Sequence, residues 1–340
     1  MNFWFWLPAV MGLSLVLTGG LRRYALARSL MDVPNARSSH SVPTPRGGGV
    51  AIVMSFLLVL LILAAFGQVN WDYTWALLGA GIGIAVLGFL DDHGHIAARW
   101  RLLGHFLAAA WGLFWIGGLP PLTVFGFFLD LGLLGSVLAA FYLVWLLNLY
   151  NFMDGIDGIA SVEAISVCLG GALIFLFVGE FKVAQVALVL AAAVMGFLFW
   201  NFPPARIFMG DAGSGFLGIV LGIQSLQAAW VAPQLLWSWI ILLGVFIVDA
   251  TFTLLRRLIR GEKVYEAHRS HAYQFASRHY GRHLPVTLAV FAINFVWLLP
   301  FAVLVALGRL DGFLGVLFSY VPLLMLAIRY KAGELEKAAV

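Results

Sequence analysis

A chain of 340 residues that is 62% hydrophobic and only 11% charged is too apolar for an ordinary soluble fold. A mean hydropathy of +0.97 and a net charge of +4 point to a polytopic membrane protein with one basic side. No nucleic-acid-binding motif accompanies the charge, and the single cysteine, Cys168, excludes an intrachain disulfide.

The chain reads as a single all-α membrane domain over 1–340, because apolar runs long enough to cross ~30 Å of hydrocarbon recur along it. Eleven spans are expected, near 3–20, 48–66, 74–90, 103–117, 134–150, 159–179, 183–201, 214–230, 233–255, 286–306 and 312–328. No basic residue precedes the first span, whereas Arg22 and Arg23 follow it directly. That is a signal-anchor pattern with the N-terminus outside. Assigning loops alternately puts every lysine and arginine except Lys182 and Arg309 on one side, which marks that side as cytoplasmic. The longest opposite loop, 117–132, is rich in Gly, Pro and Phe and is expected to form a small hairpin or re-entrant segment.

The first cytoplasmic loop reads RSSHSVPTPRGGG over 37–49. Its prolines fix an extended path, and its three glycines open the next helix where free backbone N–H groups could meet an anion. Arg37, His40 and Arg46 are candidate phosphate contacts, a basic loop lying on anionic headgroups being the plainer role. The third span ends in Asp91 and Asp92, adjacent carboxylates at a helix C-terminus that suit a divalent cation or a proton-accepting role.

Residues 148–158 read NLYNFMDGIDG. Asn148, Asn151, Asp154 and Asp157 recur at every third position, so a continuing helix would carry all four on one broad face. Carboxylates at a helix C-terminus oppose the dipole and gain stability when a cation is near. The segment NFPPARIFMGDAGSG, 201–215, then offers Asn201, Phe208 and Gly210 as substrate contacts. Its Asp211 is either an N-cap, with Ser214 nearby, or a metal-ligating carboxylate on a backbone open to a nucleotide. Asp249 precedes Arg256 by about two turns and is either its ion-pair partner or a site residue. In the largest cytoplasmic loop, His268 and His271 would share a helix face at i, i+3, with Arg269 between them. Imidazoles facing a diphosphate fit that loop better than zinc, since no cysteine is near. His279 and His283 read as solvated.

Together these stretches resemble the polyprenyl-phosphate N-acetylhexosamine-1-phosphate transferases. That superfamily (glycosyltransferase family 4) includes the enzyme starting enterobacterial common antigen and O antigens, and the translocase that makes lipid I. The resemblance covers roughly 35–275 and rests on the ordered PRGG, DD, NxxNxxDGxDG, MGDAGS and HRSH segments. It implies Asp211 as magnesium ligand and Asp91 and Asp92 as acids that position or deprotonate a lipid phosphate. It further implies Asn151, Asp154 and Asp157 lining the nucleotide pocket, Phe208 near the uracil, and His268 and His271 near the diphosphate. The translocase carries Lys where this chain has His95, and HRSH replaces its more closely spaced histidines. The chain therefore looks more like the O-antigen-initiating branch.

The implied partners are a UDP-N-acetylhexosamine (GlcNAc, FucNAc or QuiNAc), undecaprenyl phosphate, Mg²⁺ (or Mn²⁺) and membrane lipid, with no nucleic acid and with room for a homodimer. The implied location is the bacterial inner membrane, with the site facing the cytoplasm. A secondary transporter is the main rival, but its ionisable groups belong near the bilayer midplane, and here they sit at helix ends. Asp157-Gly158 begins like a CDP-alcohol phosphotransferase motif, yet Ser161 replaces its arginine, and DDHGH lacks the later acid of a UbiA-type prenyltransferase.

Overall fold

The computed structural model describes residues 3–34, 39–94, 96–262 and 268–335. Arg37, His95 and residues 263–267 lie outside them. The fold is a bundle: α1 (Trp6–Ala27), α2 (Val50–Ala65), α3 (Trp71–Gly94), α4 (Ala98–Ile116), α5 (Gly132–Met153), α6 (Ile159–Phe177) and α7 (Phe181–Asn201). After these come α8 (Asp211–Val231), α9 (Gln234–Leu242), α10 (Gly244–Ile259), α11 (Ala272–Tyr280), α12 (Leu284–Ala292), α13 (Leu299–Ala306) and α14 (Gly312–Arg329). A π-helical turn, Ile293–Leu298, makes α12 and α13 one continuous rod.

Each of the eleven expected spans corresponds to a helix or helix pair. Among the described residues eight are long and apolar enough to cross a membrane, or nine if α9 and α10 count as one span. That pair bends by 74° at Leu243, which hydropathy cannot register because a window sums residues without regard to direction. The helix α2 has only 16 residues, and α4 opens with Arg99, Arg101 and His105. The expected hairpin is present, β3 (Leu122–Val124) pairing with β4 (Phe127–Leu129) across Phe125 and Gly126, both at positive φ. Trp237 Nε1 donates to Thr123 O (2.9 Å) and Phe125 N to Asp311 Oδ2 (2.8 Å), holding the hairpin on the bundle.

The helices α6 and α8 form the centre, with most of their residues buried, while α1 and α14 bury only a few of theirs. Intramembrane polar groups face inward, as apolar surroundings require. Asn294 Nδ2, for example, donates to Glu163 Oε2 at 2.6 Å, joining the π turn to α6.

Two glycines let three helix ends meet at the start of α8. A Cβ on Gly88 would lie 2.5 Å from Ala212 N, and one on Gly49 would lie 2.5 Å from the Gly213 Cα. These contacts bring the ends of α3 and α2 onto α8 and set the position of Asp91 and Asp92. Gly88→Ala should therefore separate α3 from α8 and destabilise the fold by about 1–3 kcal/mol. Thermal unfolding in detergent checks this, and an unchanged Tm with full activity would remove Gly88 from that role.

Candidate active site

The basic loops and the ends of α3, α5, α7 and α8 enclose a cavity of about 380 Å³. Its wall begins in the first loop, where β1 (Met31–Asp32) pairs with β2 (Thr44–Pro45). Phe208 N donates to Pro45 O, Gly48 N to Phe208 O and Gly49 N to Met209 O, each at 2.8–2.9 Å. Two of the three expected free glycine N–H groups, those of Gly48 and Gly49, are therefore taken by residues 208–209, and the loop is sewn to the segment leading into α8. His40 packs edge-on against the Phe208 ring, with centroids 4.8 Å apart, and both line the cavity.

The adjacent acids point to different places. Asp92 is buried, and its Oδ2 accepts from Asp211 N at 3.1 Å, capping α8. Arg46 donates to the Asp92 carbonyl and lies 3.8 Å from its carboxylate. Asp91 instead pairs with Arg101 and accepts from Ile96 N at 2.7 Å. It lines a separate cavity of about 180 Å³, with Arg101, His105 and Asn148 among its polar walls.

The helix α5 stops at Met153, so the four-residue face does not form. Asp154 is the C-cap, and the chain then turns so that Asp157 lies apart from Asn148. Asn148 donates to Val144 O (2.7 Å), contacts His105 and lines the smaller cavity. Asn151 faces both cavities and accepts from Ser214 Oγ at 3.0 Å. Asp154 lines the larger cavity. Its pKa is raised by desolvation first, then by the charges of Asp211, Asp92 and Asp157. Such a group gains when a cation arrives.

Asp211 is the first residue of α8, and Gly210, at φ 77°, is the N-cap. The expected capping by Asp211 is thus supplied by Asp92 from another helix. Gly210 has to lack a Cβ, which would lie 2.7 Å from Asp92 Oδ2. Asn201 spends its amide on the walls, accepting from Gly158 N and donating to Ile207 O, both at 3.0 Å. Asp157 Oδ2 accepts from Ala205 N at 3.0 Å and lies 3.2 Å from His283 Nδ1.

His268 and His271 precede α11 and are not on a common helix, although their rings stack at 4.8 Å. His271 is the N-cap and is 1% exposed, with Nδ1 3.3 Å from Asp249. Asp249 also accepts from Ala272 N (2.9 Å) and Tyr273 N (3.0 Å), so it caps α11. Arg256, its other expected partner, pairs with Glu334. The pKa of His268 is lowered to about 3 by burial, then by His271 and Arg257. It is therefore neutral at pH 7, and Ser270 Oγ lies 2.9 Å from its Nδ1. Neither histidine nor Arg269 lines the larger cavity; from this region it is Gln274 that does. Asp249→Ala should cost about 1–2 kcal/mol through the lost cap and lower activity by releasing this loop. A thermal melt and a turnover assay check it, and wild-type values in both would leave Asp249 without this role.

Reasoning from sequence missed Asp32 and Gln274, which line the cavity, and took His283 for a solvated residue. Only their basic-side location could have suggested them.

The family model for glycosyl transferase family 4 matches residues 74–229, from α3 to α8. Over 289 residues the chain is 31% identical to a probable undecaprenyl-phosphate N-acetylglucosaminyl 1-phosphate transferase of Bacillus subtilis, covering 83% of this chain and 79% of that protein. The chain belongs to the polyprenyl-phosphate N-acetylhexosamine-1-phosphate transferase superfamily. It is also 30% identical over 277 residues to a decaprenyl-phosphate N-acetylglucosaminephosphotransferase of Mycolicibacterium smegmatis, covering 70% of this chain and 65% of that one. A Mycobacterium tuberculosis protein of the same description is 27% identical over 298 residues, with 75% and 71% covered. This family member is therefore a multi-pass membrane transferase. Its family-model match holds Asp91, Asp92, Asp154, Asp157 and Asp211, while His40, His268 and His283 lie outside it.

Proposed function

We propose that the protein transfers N-acetylhexosamine-1-phosphate from a UDP-sugar to undecaprenyl phosphate, releasing UMP and starting a lipid-linked surface polysaccharide such as an O antigen. One observation carries this reading. Two cavities of different character meet at Asp211 and Asn151. The larger is polar, holds Asp92, Asp154 and Asp157, and suits a soluble nucleotide sugar. The smaller is wedged among α3, α4, α5 and α8, with Ile84, Leu87, Leu102 and Leu147 beside Arg101, and suits a phosphate on an apolar chain. The relatives named for N-acetylglucosamine favour UDP-GlcNAc as donor. The basic loops favour a cytoplasmic site in the inner membrane.

The acceptor phosphate oxygen forms a bond to the sugar-bearing β-phosphorus as the bond to the bridging oxygen of UMP breaks. A phosphate monoester with a second pKa near 6 is largely dianionic at neutral pH. Orientation and charge neutralisation then matter more than a strong base. Arg101 would face the acceptor phosphate, with Asp91 fixing its guanidinium, and Phe208 would stack on the base.

A magnesium ion fits the donor set, which is made of carboxylate oxygens around a desolvated Asp154. Among the described residues no three-ligand cluster is ready-made, but Mg²⁺ takes one or two protein carboxylates and completes its shell with water and phosphate. Asp211 would hold it, helped by Asp154, and it would offset the charge of the diphosphate. Mn²⁺ would serve by the same chemistry.

The test is UMP release by purified, detergent-solubilised protein with undecaprenyl phosphate, Mg²⁺ and a panel of UDP-N-acetylhexosamines. Release requiring both lipid and metal is expected. Folded protein that releases nothing with any donor would sink the reading and turn attention to transport.

A further inference from the structure

Gln274 is the third residue of α11, and the two ends of its amide have different partners. Its Oε1 accepts from His271 N at 3.2 Å, closing the first turn of the helix. That partner is a backbone donor, so the oxygen has to face it and the NH₂ is turned elsewhere. Among the described residues the NH₂ meets no acceptor, and Gln274 lines the 380 Å³ cavity. The nitrogen lies over Gly155, where a Cβ would come within 3.2 Å of it, and so stands one residue from Asp154. The turn that carries it is anchored on both sides. Tyr273 N donates to Asp249 Oδ2 at 3.0 Å, and Tyr273 Oη donates to Phe152 O at the end of α5 at 2.9 Å.

The surroundings say what such a donor is for. Asp92, Asp154 and Asp211 line the same cavity and, when ionised, only accept, while Arg46 is engaged by Asp92. A diphosphate sugar also presents mostly oxygens, so it needs donors from the wall as well as a cation. Phe208, His40 and Asp157 belong to a wall shared with another cavity, of about 580 Å³, which Gln274 does not line. With the base against Phe208, Gln274 stands with Asp154 on the side of the diphosphate and the sugar.

We propose that Gln274 is a substrate contact whose NH₂ donates to an oxygen of the diphosphate-sugar part of the nucleotide sugar. This rests on the proposed donor reading. The NH₂ is oriented before the ligand arrives, because the other end of the amide is fixed by the helix turn, so little ordering opposes binding. The same fixation separates contact from scaffold. Gln274→Glu keeps an oxygen for His271 N but turns the donor in the cavity into a charged acceptor. Gln274→Met has the same length and removes both functions. A purely structural Gln274 would tolerate Glu and suffer from Met, whereas a substrate contact suffers most from Glu.

The experiment measures equilibrium binding of UDP-GlcNAc and of UDP to the purified, detergent-solubilised protein at pH 8 with Mg²⁺, beside a thermal melt of each variant. Gln274→Met should weaken UDP-GlcNAc binding roughly tenfold, the scale of one hydrogen bond. Gln274→Glu should weaken it roughly a hundredfold, since a like charge then faces the diphosphate, while its Tm stays near that of wild type. In Gln274→Met, an equal loss for UDP assigns the bond to a diphosphate oxygen, and a loss confined to UDP-GlcNAc assigns it to the sugar. Wild-type affinity in both variants, or a loss in Gln274→Glu no greater than that in Gln274→Met, overturns the contact and leaves the donor reading standing. Folded wild-type protein that binds neither ligand overturns the donor reading itself, and this contact with it.

Discussion

Asp211→Asn is expected to lower kcat by about 10³-fold or more, the scale on which a single charge-stabilising element contributes to phosphoryl transfer. The change is nearly isosteric. The backbone N–H of residue 211 still donates to Asp92. A carboxylate in the first turn of α8 is favoured by the helix dipole, so its removal costs only about 0.3–1 kcal/mol. Folding should therefore survive while turnover does not. Steady-state UMP release, read beside a thermal melt in the same detergent, separates these effects. Wild-type turnover in the variant would remove Asp211 as the group that holds magnesium, and a collapsed melting transition would assign it to the fold instead.

What the sequence made legible is what depends on local composition. Helix positions follow from apolar runs that need no partner to be recognised. The hairpin in 117–132 follows from turn residues that dictate their own backbone. The grouping of Asp92, Asp154 and Asp211 follows from alternating spans, which put all their helix ends on one side. What was not legible depends on direction or on a distant partner. The spacing of 148–157 suggested one helical face, but the helix stops at Met153 and Asp157 is claimed by Ala205 and His283. Asp249 looked like a partner for Arg256 because the two are close in the chain; it serves instead the backbone of residues 272 and 273. The glycines of 47–49 promised open donors, and residues 208–209 occupy two of them. The paired aspartates could not be told apart in one dimension, since successive helix positions differ by about 100° and so face different neighbours.

That divergence makes the second large effect specific. Asp92→Asn should lower turnover about 10²-fold, the cost of a small misplacement near reacting groups, while the protein stays folded. The amide oxygen can still accept from Asp211 N, but its NH₂ then meets the Arg46 guanidinium, two donors where an acceptor stood. The cavity also loses one of the charges that Arg46 and a bound cation would balance. Asp92→Ala should be worse in both respects, because nothing then caps α8. Asp91→Asn frees Arg101 and alters the smaller cavity, so its effect should appear chiefly in KM for the lipid acceptor rather than for the sugar nucleotide. Kinetics with each substrate varied in turn read the split. If Asp91→Asn and Asp92→Asn shift the same constant by the same factor, the two acids act on one substrate and the assignment of one cavity to each is wrong.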